Sequence, residues 1–140
     1  MPAGEAPRSA WAYVLRAVDG DTIEVLIDGE REDVRYIGID TPETVKPGTP
    51  VQCFGPRAHH FNARLVTHRR VRLVFGVERR DVYGRLLAYV YLGGRLVNAE
   101  LARRGLARTL TIPPNDRFAR RFKRLQSAAA RAGLGLWGGC

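Results

Sequence analysis

The spacing of apolar residues changes along this chain, and that change limits the fold more than any other feature of the sequence. Large apolar residues alternate with polar ones in several short stretches, which is the period of a half-buried strand. Later segments space their apolar residues at about 3.6 positions, which is the period of a helix. The strand-like stretches are residues 11–18, 22–27, 34–39, 70–77 and 86–92. The sequence therefore predicts five strands and a fold that mixes sheet with helix.

The connections between these stretches carry clear turn and helix signals. Asp28-Gly29 suits a tight hairpin turn, and Pro56 stands where the first turn of a helix tolerates proline. The first predicted helix turns Ala58, Phe61 and Leu65 inward. A second helix is expected over 97–104, ended by Gly105, and a third over 116–132 with Asn115 or Asp116 as its cap. Residues 41–54 are rich in proline and predict a surface loop too polar for the core.

Length and charge limit the class of protein. With 140 residues the chain suits one domain, which we place at 11–140 after an N-terminal arm at 1–10. No apolar run reaches the roughly 20 residues that cross a bilayer, so no membrane insertion is expected. The formal charge is +9, and every cation except Lys46 and Lys123 is an arginine. A polyanionic partner is the first hypothesis, although base composition of the genome or a hot habitat also favours arginine.

The start of the chain and its cysteines bear on location and on metals. Residues 1–9 lack the apolar core of a secretion signal, so we expect either an internal protein or a trimmed signal. Cys53 and Cys140 are too few for a zinc site and form either one disulfide or two free thiols. His59 and His60 are neighbours on a predicted helix and point apart, so they are expected to be surface or core residues.

Acidic residues gather around two predicted strand ends. Asp19 and Asp21 lie between the first two strands, and Asp40 and Glu43 follow the third, with Asp33 nearby. A single acidic turn is usually a cap or a solvated loop. Carboxylates that meet in a barrel would instead repel one another unless a cation lies between them. Oxygen ligands without a Cys or His cluster favour calcium, or less specifically magnesium or manganese.

Two arginines stand at unusual positions. Arg35 places a full charge inside the apolar run 34–39, where it either leans to solvent, pairs with Asp33 or serves a site. Arg85 follows Gly84 at the start of a strand, which alone indicates only a turn. Two arginines beside a cation and a free carboxylate would have the parts for phosphodiester hydrolysis, namely activated water and neutralised charge.

Four segments together resemble the staphylococcal nuclease (thermonuclease) family. They are AVDGDT at 17–22, VRYIGIDTPE at 34–43, DVYGR at 81–85 and VNAEL at 97–101. Their order and spacing match the family over about residues 11–137. The resemblance implies a five-stranded OB-fold barrel with three α-helices, an α+β fold, and a calcium-dependent hydrolase that cuts DNA and RNA to 3′-phosphorylated products.

The resemblance also assigns roles to individual positions. It implies one calcium ion held by the carboxylates of Asp21 and Asp40 and the backbone oxygen of Thr41, with Asp19 just outside. Glu43 would orient or deprotonate the attacking water. Arg35 and Arg85 would hold the phosphate and stabilise the charge that develops in the transition state, while Tyr83 would hydrogen-bond a substrate phosphate.

The C-terminal tail, residues 135–140, and two departures from the family pattern add further expectations. The tail resembles that of bacterial members with a cysteine in the same loop, which favours a Cys53–Cys140 disulfide and an oxidising compartment, secreted or periplasmic. Val82 replaces a lysine, and Arg108-Thr109-Leu110 stands where the family prototype has two tyrosines. We therefore expect weaker binding of single nucleotides, offset by backbone attraction to Arg79, Arg80 and Arg108.

Competing functions remain at this level. A noncatalytic nucleic-acid-binding OB module has the same fold, and so does a module that binds carbohydrate or protein. We expect a monomer without an obligate protein partner. The basic face of the last helix, with Arg117, Arg120, Arg121 and Arg124, is either a solvated surface or a DNA contact.

Overall fold

The computed structural model describes residues 8–42 and 53–139. This part of the chain contains eight strands and four helices. The strands are β1 (Ser9–Asp19), β2 (Thr22–Ile27), β3 (Glu30–Tyr36), β4 (Gly38–Asp40), β5 (Arg70–Arg80), β6 (Leu86–Leu92), β7 (Arg95–Leu96) and β8 (Arg108–Leu110). The helices are α1 (Gly55–Val66), α2 (Val97–Arg103), α3 (Ala119–Arg131) and α4 (Leu136–Gly139).

Five long strands close into a barrel. They are hydrogen-bonded in the order β3-β2-β1-β5-β6, with the short β7 beyond β6, and a pairing of β3 with β6 closes the sheet on itself. The closing pair is parallel and matches Val34 with Leu86, Arg35 with Leu87 and Tyr36 with Ala88. The predicted five-stranded barrel with three helices is confirmed, and α4 is a further single turn.

The predicted strand over 34–39 is broken in the structure. β3 ends at Tyr36, and β4 leaves in a new direction to pair with β8. Gly38 makes the break possible, because its φ of 83° is left-handed and a Cβ there would lie 2.5 Å from the Phe122 ring. The alternation of apolar residues continues across the break, which is why the pattern did not reveal it.

The helices pack against the barrel through apolar faces. Phe122 on α3 is almost fully buried, and Ala58 and Val66 on α1 are fully buried. The predicted cap of α3 is wrong, because the helix starts after Phe118 without a side-chain cap. Asn115 instead joins the loop before α3 to β5, since its side chain accepts from the Glu78 N–H and donates to the Glu78 carbonyl.

Buried amides hold the helices to the barrel, and the sequence patterns did not single them out for this role. Asn62 on α1 accepts the Tyr36 hydroxyl at 2.6 Å and donates to the Asp19 carbonyl at 2.9 Å. Asn98 on α2 accepts from the Val90 N–H and donates to the Ile37 carbonyl. Burial raises the pKa of the Tyr36 hydroxyl far above its usual value, so this group stays a neutral donor.

We expect Asn62→Leu to destabilise the fold by about 2–5 kcal/mol, because it leaves the buried Tyr36 hydroxyl and Asp19 carbonyl without their partner. Tyr36→Phe should cost less, since it leaves only the Asn62 oxygen unpaired. Urea denaturation of the two single variants and the double variant measures the coupling. Wild-type stability for Asn62→Leu would contradict the role assigned to this amide.

Candidate active site

The β1–β2 turn places acidic side chains beside the end of β3. Thr22 lies opposite Arg35 in the antiparallel register, and the Tyr36 N–H donates to the Asp21 carbonyl at 2.9 Å. Asp19 and Asp21 are both buried. The turn packs closely, because a Cβ on Gly20 would lie 2.8 Å from both Ala58 Cβ and Thr41 Oγ1. A glycine is therefore required where the acidic turn meets α1 and Thr41.

The Asp21 carboxylate is held by hydrogen bonds from the next residue and from the residue that follows β4. One carboxylate oxygen accepts the Thr22 hydroxyl at 3.1 Å, and the other accepts the Thr41 N–H at 2.9 Å. The second oxygen also lies 3.3 Å from Nη2 of Arg35. Thr41 is thus buried against the acidic turn, which corrects the expectation that the whole segment from 41 onward is too polar for the core.

Arg35 joins the two predicted metal-binding carboxylates. Its Nη1 donates to the carbonyls of Tyr36 at 2.7 Å and Ile39 at 2.8 Å, which fixes the guanidinium in the β3–β4 break. Its Nη2 lies 3.1 Å from an oxygen of Asp40 and 3.3 Å from an oxygen of Asp21. Arg35 therefore neither leans to solvent nor pairs with Asp33. The structure brings Asp21, Asp40 and Arg35 into one cluster.

The charge balance of this cluster is acidic. Burial raises the pKa of Asp40 above its usual range, and the neighbouring carboxylates of Asp21 and Asp19 raise it further, against the opposing effect of Arg35. Burial is the largest of these effects, and the acidic balance itself follows from the three carboxylates of Asp19, Asp21 and Asp40 beside the Arg35 guanidinium. A second positive charge at this position would relieve the repulsion.

Arg85 reaches the same region from the loop between β5 and β6. Asp81 holds it in place, accepting from the Arg85 Nε at 2.7 Å and from its backbone N–H at 2.9 Å. Within the ranges that the structure describes, the two terminal nitrogens of Arg85 have no hydrogen-bond partner. The guanidinium also lies 5.3 Å from the centre of the Tyr83 ring. Asp81 thereby leaves the terminal nitrogens free to hold an anion.

Arg35 and Arg85 line one cavity of about 360 Å³. Tyr83 forms part of its wall and is 80% exposed. The substituted positions Val82 and Leu110 also line it, together with Ile112. These residues give the cavity an apolar and partly aliphatic wall, and the two arginines supply positive charge, with the acidic Glu78 and Asp81 also in the lining. Such a cavity can hold an anionic group with an apolar or flat body attached.

The residues present fit a divalent cation of the calcium type. The donors are carboxylate oxygens of Asp21 and Asp40 without nitrogen or sulfur ligands, which is the set that calcium prefers. Thr41 Oγ1 is buried and has no hydrogen-bond partner among residues 8–42 and 53–139, so a buried oxygen beside these carboxylates lacks a donor or a cation. Asp19 lies close enough to affect Asp40 electrostatically.

Some predicted residues fall outside the described ranges or have other partners. Glu43 and Cys140 lie outside the described residues. Cys53 is in a disulfide, and Cys140 is the only other cysteine of the sequence. His59 forms a hydrogen bond with the Ala17 carbonyl at 2.9 Å. In the described part of the chain, no group of three or more Asp, Glu, His or Cys residues is placed to hold a metal ion.

The arginines expected to compensate for lost nucleotide contacts are engaged within the protein. Arg80 forms two hydrogen bonds with Glu32, at 3.1 and 2.6 Å, and a third with the Gly84 carbonyl. The guanidinium of Arg79 lies 4.4 Å from the Phe75 ring centre, and that of Arg108 lies 4.7 Å from the ring centre of Trp137. Arg80 in particular is bound to the barrel and is a poor candidate for holding substrate.

Two residues that shape the site, Asp81 and Asn115, were not predicted from the sequence to do so. Asp81 orients Arg85, and Asn115 lines the cavity while bonding Glu78. The sequence did carry a signal for Asp81, because an acidic residue four positions before Arg85 can reach that arginine across a tight turn. No sequence signal distinguished Asn115 as a bridge rather than a helix cap.

Comparison with known proteins shows the family. The family described as staphylococcal nuclease homologue matches residues 33–139. The thermonuclease of Staphylococcus intermedius is 48% identical over 124 residues, which cover 89% of this chain and 74% of that protein. The thermonuclease of Staphylococcus hyicus is 45% identical, with 89% and 73% covered. Endonuclease YncB of Bacillus subtilis (strain 168) is 43% identical, with 87% and 59% covered.

The chain therefore belongs to the staphylococcal nuclease family. The alignments with the two thermonucleases cover 124 residues, so they include the β1–β2 turn, the end of β4 and the loop that carries Arg85. Among the described helices, none combines the length and apolar character that a membrane span requires.

We expect calcium to raise the melting temperature of the protein and Asp21→Asn to abolish most of that rise. Binding to the folded state alone stabilises it by about 2.7 kcal/mol at a hundredfold excess over Kd. Asp28→Asn is the matched control, because Asp28 is an exposed turn residue at the other end of β2. Thermal denaturation with calcium or with chelator measures the shift. Equal shifts in both variants would place the ion elsewhere.

Proposed function

We propose that this protein is a calcium-dependent nuclease that hydrolyses DNA and RNA to 3′-phosphorylated products. Membership of the staphylococcal nuclease family and the thermonuclease and endonuclease relatives support nuclease activity. The single observation that carries the proposal is that Arg35 and Arg85 line one cavity, with the Asp21 and Asp40 carboxylates bonded to Arg35. This arrangement suits a phosphodiester, which is an anion that gains charge during hydrolysis.

The cation would be held by the carboxylates of Asp21 and Asp40 and by the backbone oxygen of Thr41, with Asp19 beside it. When bound, calcium supplies a Lewis acid that polarises the phosphate and a template for the attacking water. The chain prepares this position by fixing Asp21 through Thr22 and through the Thr41 N–H. Burial, and after it repulsion by Asp21 and Asp19, raises the pKa of Asp40, and a cation there would offset that repulsion.

The two arginines would bind the phosphate from different sides. Nη1 of Arg35 is held by two backbone carbonyls, so the guanidinium stays in the β3–β4 break while its Nη2 can exchange one anionic partner for another. Arg85 is held at Nε by Asp81, which leaves both terminal nitrogens for phosphate oxygens. A substrate phosphate would take the place of the Arg35 contacts with the carboxylates. Paired donors on a trigonal-bipyramidal phosphorus stabilise the charge that develops there.

Glu43 would orient or deprotonate the attacking water, and Tyr83 would hydrogen-bond a phosphate at the edge of the cavity. The role of Glu43 rests on its sequence position, two residues after Thr41, and on the family resemblance. Tyr83 is exposed at the cavity mouth, where its hydroxyl is available to substrate. The aliphatic Leu110 and Ile112 provide an apolar contact for the base without aromatic stacking.

Incubation of single-stranded DNA with the protein should give fragments in calcium and none in chelator. The fragments should end in 3′-phosphates, as shown by a phosphatase-dependent block to polymerase extension. Glu43→Gln should bind DNA but cut about 10²-fold to 10⁴-fold more slowly, which is the range for loss of a general base. Glu30→Gln in the distant hairpin is the control. Binding without cleavage by the wild type would favour a noncatalytic module.

Arg35→Lys should lower kcat by about 10²-fold or more, while the calcium-induced melting shift changes little. Lysine keeps the charge but cannot hold two backbone carbonyls and a phosphate with one planar fork. Arg31→Lys, an exposed position on the same strand, should cut at the wild-type rate. Single-turnover cleavage of an oligonucleotide measures the effect. Comparable turnover for Arg35→Lys would remove Arg35 from the mechanism.

A further inference from the structure

One face of α3 carries a row of basic side chains that is separate from the residues lining the cavity. Its members line a shallow depression of about 470 Å³ on the surface, and we call them the α3 basic stripe: Arg120, Lys123, Arg124, Ser127 and Arg131. The apolar residues of the same helix, Phe122 and Leu125, pack against the core on the other side. The stripe is therefore not needed to attach the helix.

The stability of the helix does not explain the stripe. The first turn of α3 contains no acidic residue, although the positive end of the helix dipole favours acidic and disfavours basic side chains there. Arg120 stands in that first turn. Arg120 and Arg124 are four residues apart, and Arg120 and Lys123 are three apart, so like charges face each other. This arrangement costs stability in the free protein.

The described part of the chain supplies no counter-charge to the stripe. In residues 8–42 and 53–139, no Asp or Glu forms an ion pair with a member of the stripe. The sequence also has no acidic residue after Asp116. Exposed arginines elsewhere are often paired, as Arg103 is with Glu100 at 2.8 Å. The stripe thus differs from an ordinary solvated surface of mixed charge.

The helix that carries the stripe follows the candidate active site in the chain and packs against it. Asn115 lines the cavity, and α3 begins four residues later. The helix is fixed to the strands of the site, because the Gln126 side chain accepts the Thr109 N–H at 2.7 Å and Phe122 packs at Gly38. The helix that carries the stripe is therefore packed beside the cavity, since Gly38 also lines it.

We propose that the α3 basic stripe binds the phosphate backbone of nucleic acid beyond the nucleotides held at the cleavage site. This inference rests on the proposed nuclease function and extends it from the scissile phosphate to the polymer. Arginine side chains suit phosphate oxygens in pairs, and a row of them along one helix face suits a linear polyanion. Bound phosphates would relieve the repulsion within the stripe.

An anionic membrane surface fits the stripe less well. Helices that lie on membranes expose large apolar residues beside their cations. On α3 the large apolar residues face the protein interior, and the stripe has only Arg, Lys and Ser. The lack of an exposed apolar edge on this face favours nucleic acid over lipid.

The test measures binding of single-stranded DNA of about 30 nucleotides in chelator, where no cleavage is expected, over a range of salt concentrations. Arg120→Gln combined with Arg124→Gln should weaken binding about tenfold and reduce the slope of log K against log salt by about 1.4, from about 0.7 per phosphate contact. The control combines Arg16→Gln with Arg103→Gln. It removes the same charge from arginines that are paired with Glu24 and Glu100.

Two further measurements separate this role from a structural one. The stripe variant should melt at the wild-type temperature or higher, because it removes like-charge repulsion. Cleavage of a trinucleotide in calcium should be unchanged, since so short a substrate does not reach the stripe. Equal loss of 30-nucleotide binding in the stripe and control variants would overturn the proposal, and so would stripe-dependent binding to anionic vesicles with unchanged DNA binding.

The outcomes also separate this proposal from the proposed function. Should the wild type cut neither the trinucleotide nor the longer DNA, the nuclease assignment fails while the binding data in chelator still test the stripe. Should the wild type cut both substrates and the stripe variant bind and cut long DNA as well as the control variant does, the stripe proposal fails alone.

Discussion

The contact of one guanidinium with two carboxylates organises the candidate site. Arg35 lies 3.3 Å from Asp21 and 3.1 Å from Asp40, and its other terminal nitrogen is bound to two backbone carbonyls. These contacts join three segments that are separate in the sequence, namely the β1–β2 turn, the end of β3 and the end of β4. Burial raises the pKa of Asp40, Arg35 opposes the rise, and the carboxylates of Asp21 and Asp19 add to it. The carboxylates of Asp19, Asp21 and Asp40 outnumber the Arg35 guanidinium beside them, and that charge balance suits a cation.

The barrel places this cluster where it does because of how it closes. The parallel pairing of β3 with β6 runs through Arg35, and the break at Gly38 then turns β4 and Asp40 back toward Asp21. Two buried amides hold this region to the helices, Asn62 beneath the acidic turn and Asn98 beneath the break. The charged groups thus lie on a rigid support, while Tyr83 stands exposed at the cavity mouth.

Much of this arrangement could be predicted from the sequence, because its signals are local. Alternation and turn residues identified the barrel strands, and the order of acidic and arginine motifs identified the family. The break at Gly38 could not be predicted, since alternation continues through it and only the position of the Phe122 ring requires it. Asn115 was misjudged as a cap because capping is a local preference, whereas its bonds to Glu78 are a long-range contact.

The most direct test of the account is a crystal structure of the protein with calcium and a nucleoside 3′,5′-bisphosphate. We predict one ion at about 2.3–2.6 Å from oxygens of Asp21, Asp40 and Thr41, the distances usual for calcium. We also predict that Arg35 Nη2 leaves the carboxylates to meet a phosphate that Arg85 contacts as well. An ion bound elsewhere, or a phosphate that touches neither arginine, would contradict the account.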